Sequence, residues 1–315
     1  MDIVKNNFSQ IQELLRQKAE LSARLNLIPY EGTPQVEEHG DKKYLYMRKR
    51  IASKLTSKYV DVYSDELYGI LLKMSRDSRE LRKAIRAVDR ELLSLGYVEG
   101  ELSERVLSNI EFARANMKYN IYSQAVLEGV ATSFPQTEDI IEGGKITGMT
   151  ANDVQKILNL KHAWEFITDK DVVASTSNYY LLCHIAKLVN EGFFAEGGRI
   201  RGVPVTIGGT SYIPPLPIES VVKEQIEKIV NSSTDPIDTA INLCLYTMKT
   251  QIFNDGNKRA AVIFANHYLI SNGDGMLVIS EKDVPKFKRL LIAYYEDRDN
   301  GEIIEFLRNK CHKDF

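Results

Sequence analysis

The chain has 315 residues, of which 43% are hydrophobic and 27% charged. That is enough to bury a core without staples, and too polar for a chain embedded in membrane as a whole. Its 41 basic and 43 acidic residues leave a net charge of -2, which excludes a uniformly basic nucleic-acid coat but not a local patch. Three scattered cysteines, Cys183, Cys244 and Cys311, form no CxxC pair, which argues against a disulfide framework and a zinc site. No apolar run reaches the roughly 18 residues that cross a bilayer. The opening MDIVKNNFSQIQELL is too polar for a signal peptide. The expectation is a cytoplasmic protein of two domains, with no membrane partner.

In chain order, Ile11, Leu14, Leu15, Leu21 and Leu25 recur near helical spacing, which predicts a helix over 4–27. Such an arm is where a homodimer would be expected. Segment 30–41 is rich in turn residues and reads as a loop. Residues 42–63 alternate enough β-formers to predict two short strands. Within 42–58 lie Lys42, Lys43, Arg48, Lys49, Arg50, Lys54 and Lys58, with no carboxylate and with tyrosines interleaved. Two readings stand for this stretch. It could follow a nucleic-acid backbone, or its lysines could blunt an edge strand against aggregation. The second is preferred, because no reader motif accompanies the patch. Helical periodicity returns at 65–95, with Gly96 as a stop, and at 101–130.

Thr150 is positioned to cap a helix over 151–168, and Ser175 or Thr176 one over 177–191. Segment 197–216, GGRIRGVPVTIGGTSYIPPL with its glycines and double proline, reads as a β-hairpin ending in a stiff turn. Further helices are predicted near 217–231, 236–250, 257–272, 282–297 and 301–312. The fold class is mainly α with minor β.

Residues 251–259 read QIFNDGNKR. A glycine turn feeding a helix N-terminus presents free backbone N–H groups to an anion. Lys258 and Arg259 add charge-assisted donors for phosphate. Asp255 in such a nest is repelled by phosphate unless a cation lies between them, which makes it a magnesium ligand. Solvated charges on a helix–turn–helix are the plain alternative.

This stretch resembles the motif H-x-F-x-[DE]-G-N-[GK]-R of the Fic (Fido) family, through Phe253, Asp255, Gly256, Asn257, Lys258 and Arg259. Segment 197–216 resembles the flap of that family. LEGVATS at 127–133 resembles its regulatory segment with an E-G pair, Glu128 and Gly129. The resemblance covers roughly 120–300. It implies a Fic helical core over 101–315 with a helical and β-hairpin appendage over 1–100. It also implies ATP or another nucleotide with Mg²⁺ as cofactors, and AMP transfer (adenylylation) to a protein hydroxyl. Gly256, Asn257, Lys258 and Arg259 would hold the nucleotide, Asp255 the metal. Val203, Val205 and Ile207 of the flap would dock an extended target segment. Arg201 matches the arginine before the flap, as anchor or substrate contact. Asn266, on an inward-looking position of the motif helix, would contact adenine.

Three departures from that pattern bear on mechanism. Gln251 stands where the family has its histidine base, and an amide does not titrate near neutral pH. Lys258 replaces the commoner glycine, as in the Doc-like branch associated with phosphotransfer. Val262 stands where many members have a second arginine, so Glu128 would have to pair with Lys258 or Arg259. His267 and His184 are read as structural rather than as substitute bases. The alternatives are therefore a catalytically silent nucleotide-binding regulator, Doc-like phosphotransfer, and AMP removal that depends on Glu128.

Overall fold

A computed structural model describes residues 2–51, 54–95, 97, 102–144, 148–194, 197–232, 235–299 and 301–315. The chain divides into two compact units, Met1–Glu99 and Gly100–Phe315. Among the described residues no helix is long and apolar enough to cross a membrane.

In the first unit, α1 (Asp2–Asn26) packs on α2 (Asp65–Ser94). Leu14 and Leu15 of α1 bury against Val88 and Leu92 of α2, the pairing that their helical spacing calls for. Ser64 starts α2 by accepting from the Leu67 amide. Gly96, the expected stop, lies outside the described residues.

Three antiparallel strands lie between the helices: β1 (Thr33–His39), β2 (Lys42–Ile51) and β3 (Lys54–Val62). The reading of 30–41 as a loop is thus corrected, and two strands become three. Strand β1 carries a proline and two glutamates and has one buried residue, Pro34. It occupies an edge, where proline is tolerated. Its carboxylates Glu37 and Glu38 pair across the ladder with Arg48 and Lys43. Such a strand is selected by its partner rather than by apolar alternation. The turn into β2 is Gly40–Asp41, with Gly40 at φ +63°, suited to a two-residue hairpin loop. On one face of the sheet Leu45 and Met47 bury against Leu71 of α2.

The second unit is helical. Its elements are α3 (Glu104–Ala115), α4 (Met117–Leu127), α5 (Phe134–Glu142), α6 (Ala151–Ile167), α7 (Lys170–Val173), α8 (Tyr179–Val189), α9 (Glu219–Val230), α10 (Pro236–Thr250), α11 (Asn257–Asn272), α12 (Val284–Tyr295) and α13 (Glu302–Phe306). Thr150 caps α6 as expected. The helix expected over 101–130 breaks at Asn116, whose side chain donates to the Phe112 carbonyl. The cap of α8 is Asn178, not Ser175 or Thr176. Helix α5 has no counterpart among the predicted elements, although Ser133 and Gln136 form a reciprocal capping box at its start. After α13 a wide turn over 307–311 leads into β5 (His312–Lys313), which pairs with β4 (Met276–Leu277).

The centre of this unit is the pair α10 and α11. Ala240, Ile241, Cys244, Leu245 and Met248 of α10 meet Ala261, Val262, Ala265 and Leu269 of α11 in one fully buried cluster. That pairing makes the loop between the two helices a rigidly held feature.

Candidate anion site

The α10–α11 loop is built by its own backbone and one asparagine. Helix α10 ends at Gln251, which adopts a left-handed conformation (φ 48°, ψ 61°). Asn257 Oδ1 accepts from the Phe253 amide at 2.9 Å, and Nδ2 donates to the Phe253 carbonyl at 2.8 Å and to Gln251 Oε1 at 3.1 Å. With those bonds made, the Asn257 side chain serves as an internal brace of the loop. The expectation that it holds nucleotide is thereby narrowed to its backbone.

Gly256 precedes α11 at φ +75°, and a Cβ there would meet both polar atoms of the Asn190 side chain at 2.8 Å. Glycine is required by conformation and by this approach. The first-turn N–H groups of α11 have no intrahelical acceptor and stand at the positive end of its dipole.

Arg259 lies behind that turn, 2% exposed. Its terminal nitrogens donate to the Val189 carbonyl (2.6 Å), Asn190 Oδ1 (3.3 Å) and Asp255 Oδ2 (2.9 Å). Its Nε makes no hydrogen bond, although Glu128 Oε2 stands 3.6 Å away. Glu128, at the C-cap of α4 and followed by Gly129 at φ +80°, also lies 3.4 Å from Lys258 Nζ. Glu128 Oε1 is buried without a hydrogen bond. The α4 end is held against α11 by Gln124, which donates to the Arg259 carbonyl and accepts from Trp164.

Val262 belongs to the core between α10 and α11. The cavity beside it, lined by Ser123, Gln124, Trp164 and Val262 among others, has a volume of about 10 Å³, room for about one water and none for an arginine. Asn266 is fully buried, donating to the Val262 and Leu277 carbonyls and accepting from the Leu277 amide. Its polar atoms tie β4 to α11, so the adenine contact expected of it is corrected.

His267 is fully buried. Its Nε2 donates to the Val172 carbonyl, so Nδ1 accepts from the Ser177 hydroxyl. Burial pulls its pKa down to about 4. His184 is buried against the Phe166 ring. Neither stands in the loop as a base.

The 197–216 segment departs from the hairpin expectation. It is extended, with a single bridge between Ile200 and Phe253, and no ladder joins its arms among the described residues. Arg201 takes the place of the ladder. Its amide donates to the Ile252 carbonyl, and its guanidinium to the carbonyls of Gln251, Val203, Pro214 and Pro215. Arg201 is therefore the anchor that ties both arms to the loop, not a substrate contact. Val203 is exposed, Val205 partly buried, and Ile207 packs on the α10–α11 core.

The far end of this flap is held by Glu296, which accepts from Thr210 Oγ1 (2.7 Å) and the Ser211 amide (3.2 Å). The Thr210 hydroxyl first, then Arg298 and the Ser211 amide, pull its carboxyl down to about 2. A lowered folded-state value means that the contact contributes fully above the ordinary value near 4.5 and is lost as pH falls toward 2. Hydrogen-exchange protection at residues 210–212 is expected to fall across that window. Glu296→Gln should show the lowered protection at pH 7 and no further change on acidification.

Two of these residues were not legible in sequence. Asn190, the C-cap of α8, donates to the Asp255 carbonyl at 3.0 Å and accepts from Arg259. Gln124 holds the Arg259 carbonyl from α4. Both act across long sequence separations that no local pattern encodes.

Asp255 is half-exposed at the mouth of the loop. No cluster of three or more His, Cys, Asp or Glu exists among the described residues. One carboxylate beside an anion site fits magnesium, which is ordinarily held by one or two carboxylates with substrate phosphates and water.

Residues 176–269 match the family model Fic/DOC family. Residues 8–69 match a domain of unknown function, DUF6788. Among solved structures, a Fic family protein from Desulfovibrio desulfuricans G20 superposes with a TM-score of 0.54 at 15% identity, covering 68% of this chain and 73% of its own. A Fic domain containing signaling protein from Bacteroides thetaiotaomicron VPI-5482 gives 0.53 at 17% identity, covering 66% and 85%. At such identities the likeness is one of fold. No curated protein matches the chain.

Proposed function

From the premise that residues 176–269 form a Fic/DOC-family domain, we propose that the second unit binds ATP with magnesium and transfers AMP to a hydroxyl of a protein, slowly. Fic-domain proteins generally transfer a nucleoside monophosphate to proteins. The observation that carries the reading is the Arg259 side chain. Scaffold groups hold its terminal nitrogens, and its Nε edge, beside the first turn of α11, makes no hydrogen bond and faces the Glu128 carboxylate at 3.6 Å, whose place a phosphate oxygen would take.

In this reading the first-turn amides, Lys258 and Arg259 receive the phosphates. Magnesium held by Asp255 would supply neutralising charge to them. The flap, anchored by Arg201 and Glu296, presents backbone around Val203–Ile207 to an extended target segment. The target oxygen forms a bond to the α-phosphorus, the α–β anhydride bond breaks, and pyrophosphate leaves. The hydroxyl proton has no side-chain acceptor at Gln251 and passes to phosphate or water. This is the slow feature.

A second reading, a silent nucleotide-binding regulator, is favoured by one observation. Gln251 is tied at both ends, donating to the Met248 carbonyl at 2.6 Å and accepting from Asn257. ATP labelled at the α or the γ phosphate separates the readings. Label from the α position in protein supports AMP transfer, and label only from the γ position supports phosphotransfer. A rise in melting temperature with ATP and no transfer supports the regulator. No shift with any nucleotide removes all three.

A further inference from the structure

We propose that the solvent face of the β1–β3 sheet is a platform for single-stranded nucleic acid. The opposite face is spent on the core, where Leu45, Met47 and Val60 pack with Leu71. On the solvent face, by the register, Tyr44 and Tyr46 of β2 lie between Glu37 and Gln35 of β1 and Val62 and Tyr59 of β3. The rings form a connected strip. Centroids are 5.7 Å apart for His39–Tyr44, 6.2 Å for Tyr44–Tyr59 and 5.6 Å for Tyr46–Tyr59. The ring planes are tilted by 52° to 67°, so the rings do not consume one another's faces by stacking. Tyr59 is 49% exposed.

Among the described residues, the Leu45–Leu71 core cluster needs none of these three tyrosines. Unstacked bases do, because every base has a face that stacks on an aromatic ring whatever its identity. A duplex hides those faces. The charge agrees with a polyanion. Strand β2 is KKYLYMRKRI, and its alternation sets Lys42 and Arg48 on the ring face, with Tyr44 and Tyr46 between them.

Arg48 is held at 2.7 Å by Glu37 of the neighbouring strand, and both side chains are about one-third exposed. A surface pair of this kind is worth little, so a phosphate can take the place of the Glu37 carboxylate at small cost. The strand partner thus keeps the cation ordered without committing it. This surface lies within the segment that matches the domain of unknown function and owes nothing to the nucleotide site of the second unit.

The test is fluorescence anisotropy of the full chain with a labelled single strand of about 15 nucleotides, and with its duplex. Binding to the single strand is expected to exceed binding to the duplex. With phosphates at Lys42 and Arg48, log affinity should fall against log salt with a slope of about -1.4. Tyr46→Ala and Tyr59→Ala should each weaken binding about tenfold, and Lys42→Ala should flatten the salt slope. Tyr59→Phe keeps the ring and should bind as the parent does, which guards against a variant that merely fails to fold. Glu37→Gln, which frees Arg48, should bind more tightly. Lys258→Ala, in the second unit, should leave the affinity for the single strand as in the parent, whatever it does to ATP binding. The proposal is overturned by any of four results: no binding, equal binding of the duplex, unchanged affinity in folded Tyr46→Ala and Tyr59→Ala, or loss of binding in Lys258→Ala.

Discussion

Gln251→His is expected to raise transfer of α-phosphate label to protein by about 10²–10⁴-fold, the usual worth of a positioned general base. The backbone is ready for the exchange. Position 251 is left-handed, at φ 48°, and histidine is among the non-glycine residues that tolerate that region. A bond partner is ready as well. The Gln251 amide now donates to the Met248 carbonyl. An imidazole Nδ1–H making the same bond would hold the ring with Nε2 as a free acceptor. Asn257 would lose the Gln251 oxygen but keep both bonds to Phe253, so the loop should survive. Single-turnover label transfer at matched nucleotide occupancy checks this. If Gln251→His binds ATP and gains nothing, then proton removal is not the obstacle. The fault would lie with Lys258 in the anion loop or with Val262, which the core leaves no room to exchange for arginine.

Sequence patterns reached most of the helices whose causes are local, α5 with its capping box excepted. Helix α2 begins at a serine cap, α10 at Asp235 with Pro236 in its first turn, and α11 behind a left-handed glycine. Each signal lies within a few residues of the boundary it sets. Strand β1 escaped because its register is set by the backbone ladder to β2 and the tight Gly40–Asp41 turn, not by apolar alternation. In the flap, the glycines and the double proline predict a hairpin that does not form. Pro204, Pro214, Pro215 and Pro217 cannot donate to a ladder, and Arg201 takes up the carbonyls of Val203, Pro214 and Pro215 instead.

The loop QIFNDGNKR points to the candidate anion site, because cradle, glycine and cations are consecutive. What supports it was hidden. Asn190 and Gln124 reach Arg259 from α8 and α4, 69 and 135 residues away, and only the finished packing brings them there.

Glu128→Ala is expected to tighten ATP binding by more than tenfold. The carboxylate lies 3.4 Å from Lys258 Nζ and 3.6 Å from Arg259 Nε, where a phosphate oxygen would have to stand. Two anions sharing that position cost several kcal/mol, so the side chain must leave or the nucleotide must bind elsewhere. The present contact is also incomplete, since Glu128 Oε1 and Arg259 Nε are both buried without a hydrogen bond. A phosphate oxygen that accepted from Arg259 Nε would satisfy that donor and displace the carboxylate favourably. The isosteric Glu128→Gln removes the charge and keeps the shape. It should recover part of the gain, while Glu128→Ala recovers more by opening the space. Calorimetric titration with ATP, with and without magnesium, gives the affinities. Melting curves without nucleotide should move down in both variants, because Arg259, 2% exposed, loses a counter-charge. Equal ATP affinity in wild type, Glu128→Gln and Glu128→Ala would mean that the carboxylate does not stand in the phosphate's place. Absent binding in all three would instead remove the nucleotide site itself, so the two failures are distinguishable in one set of titrations.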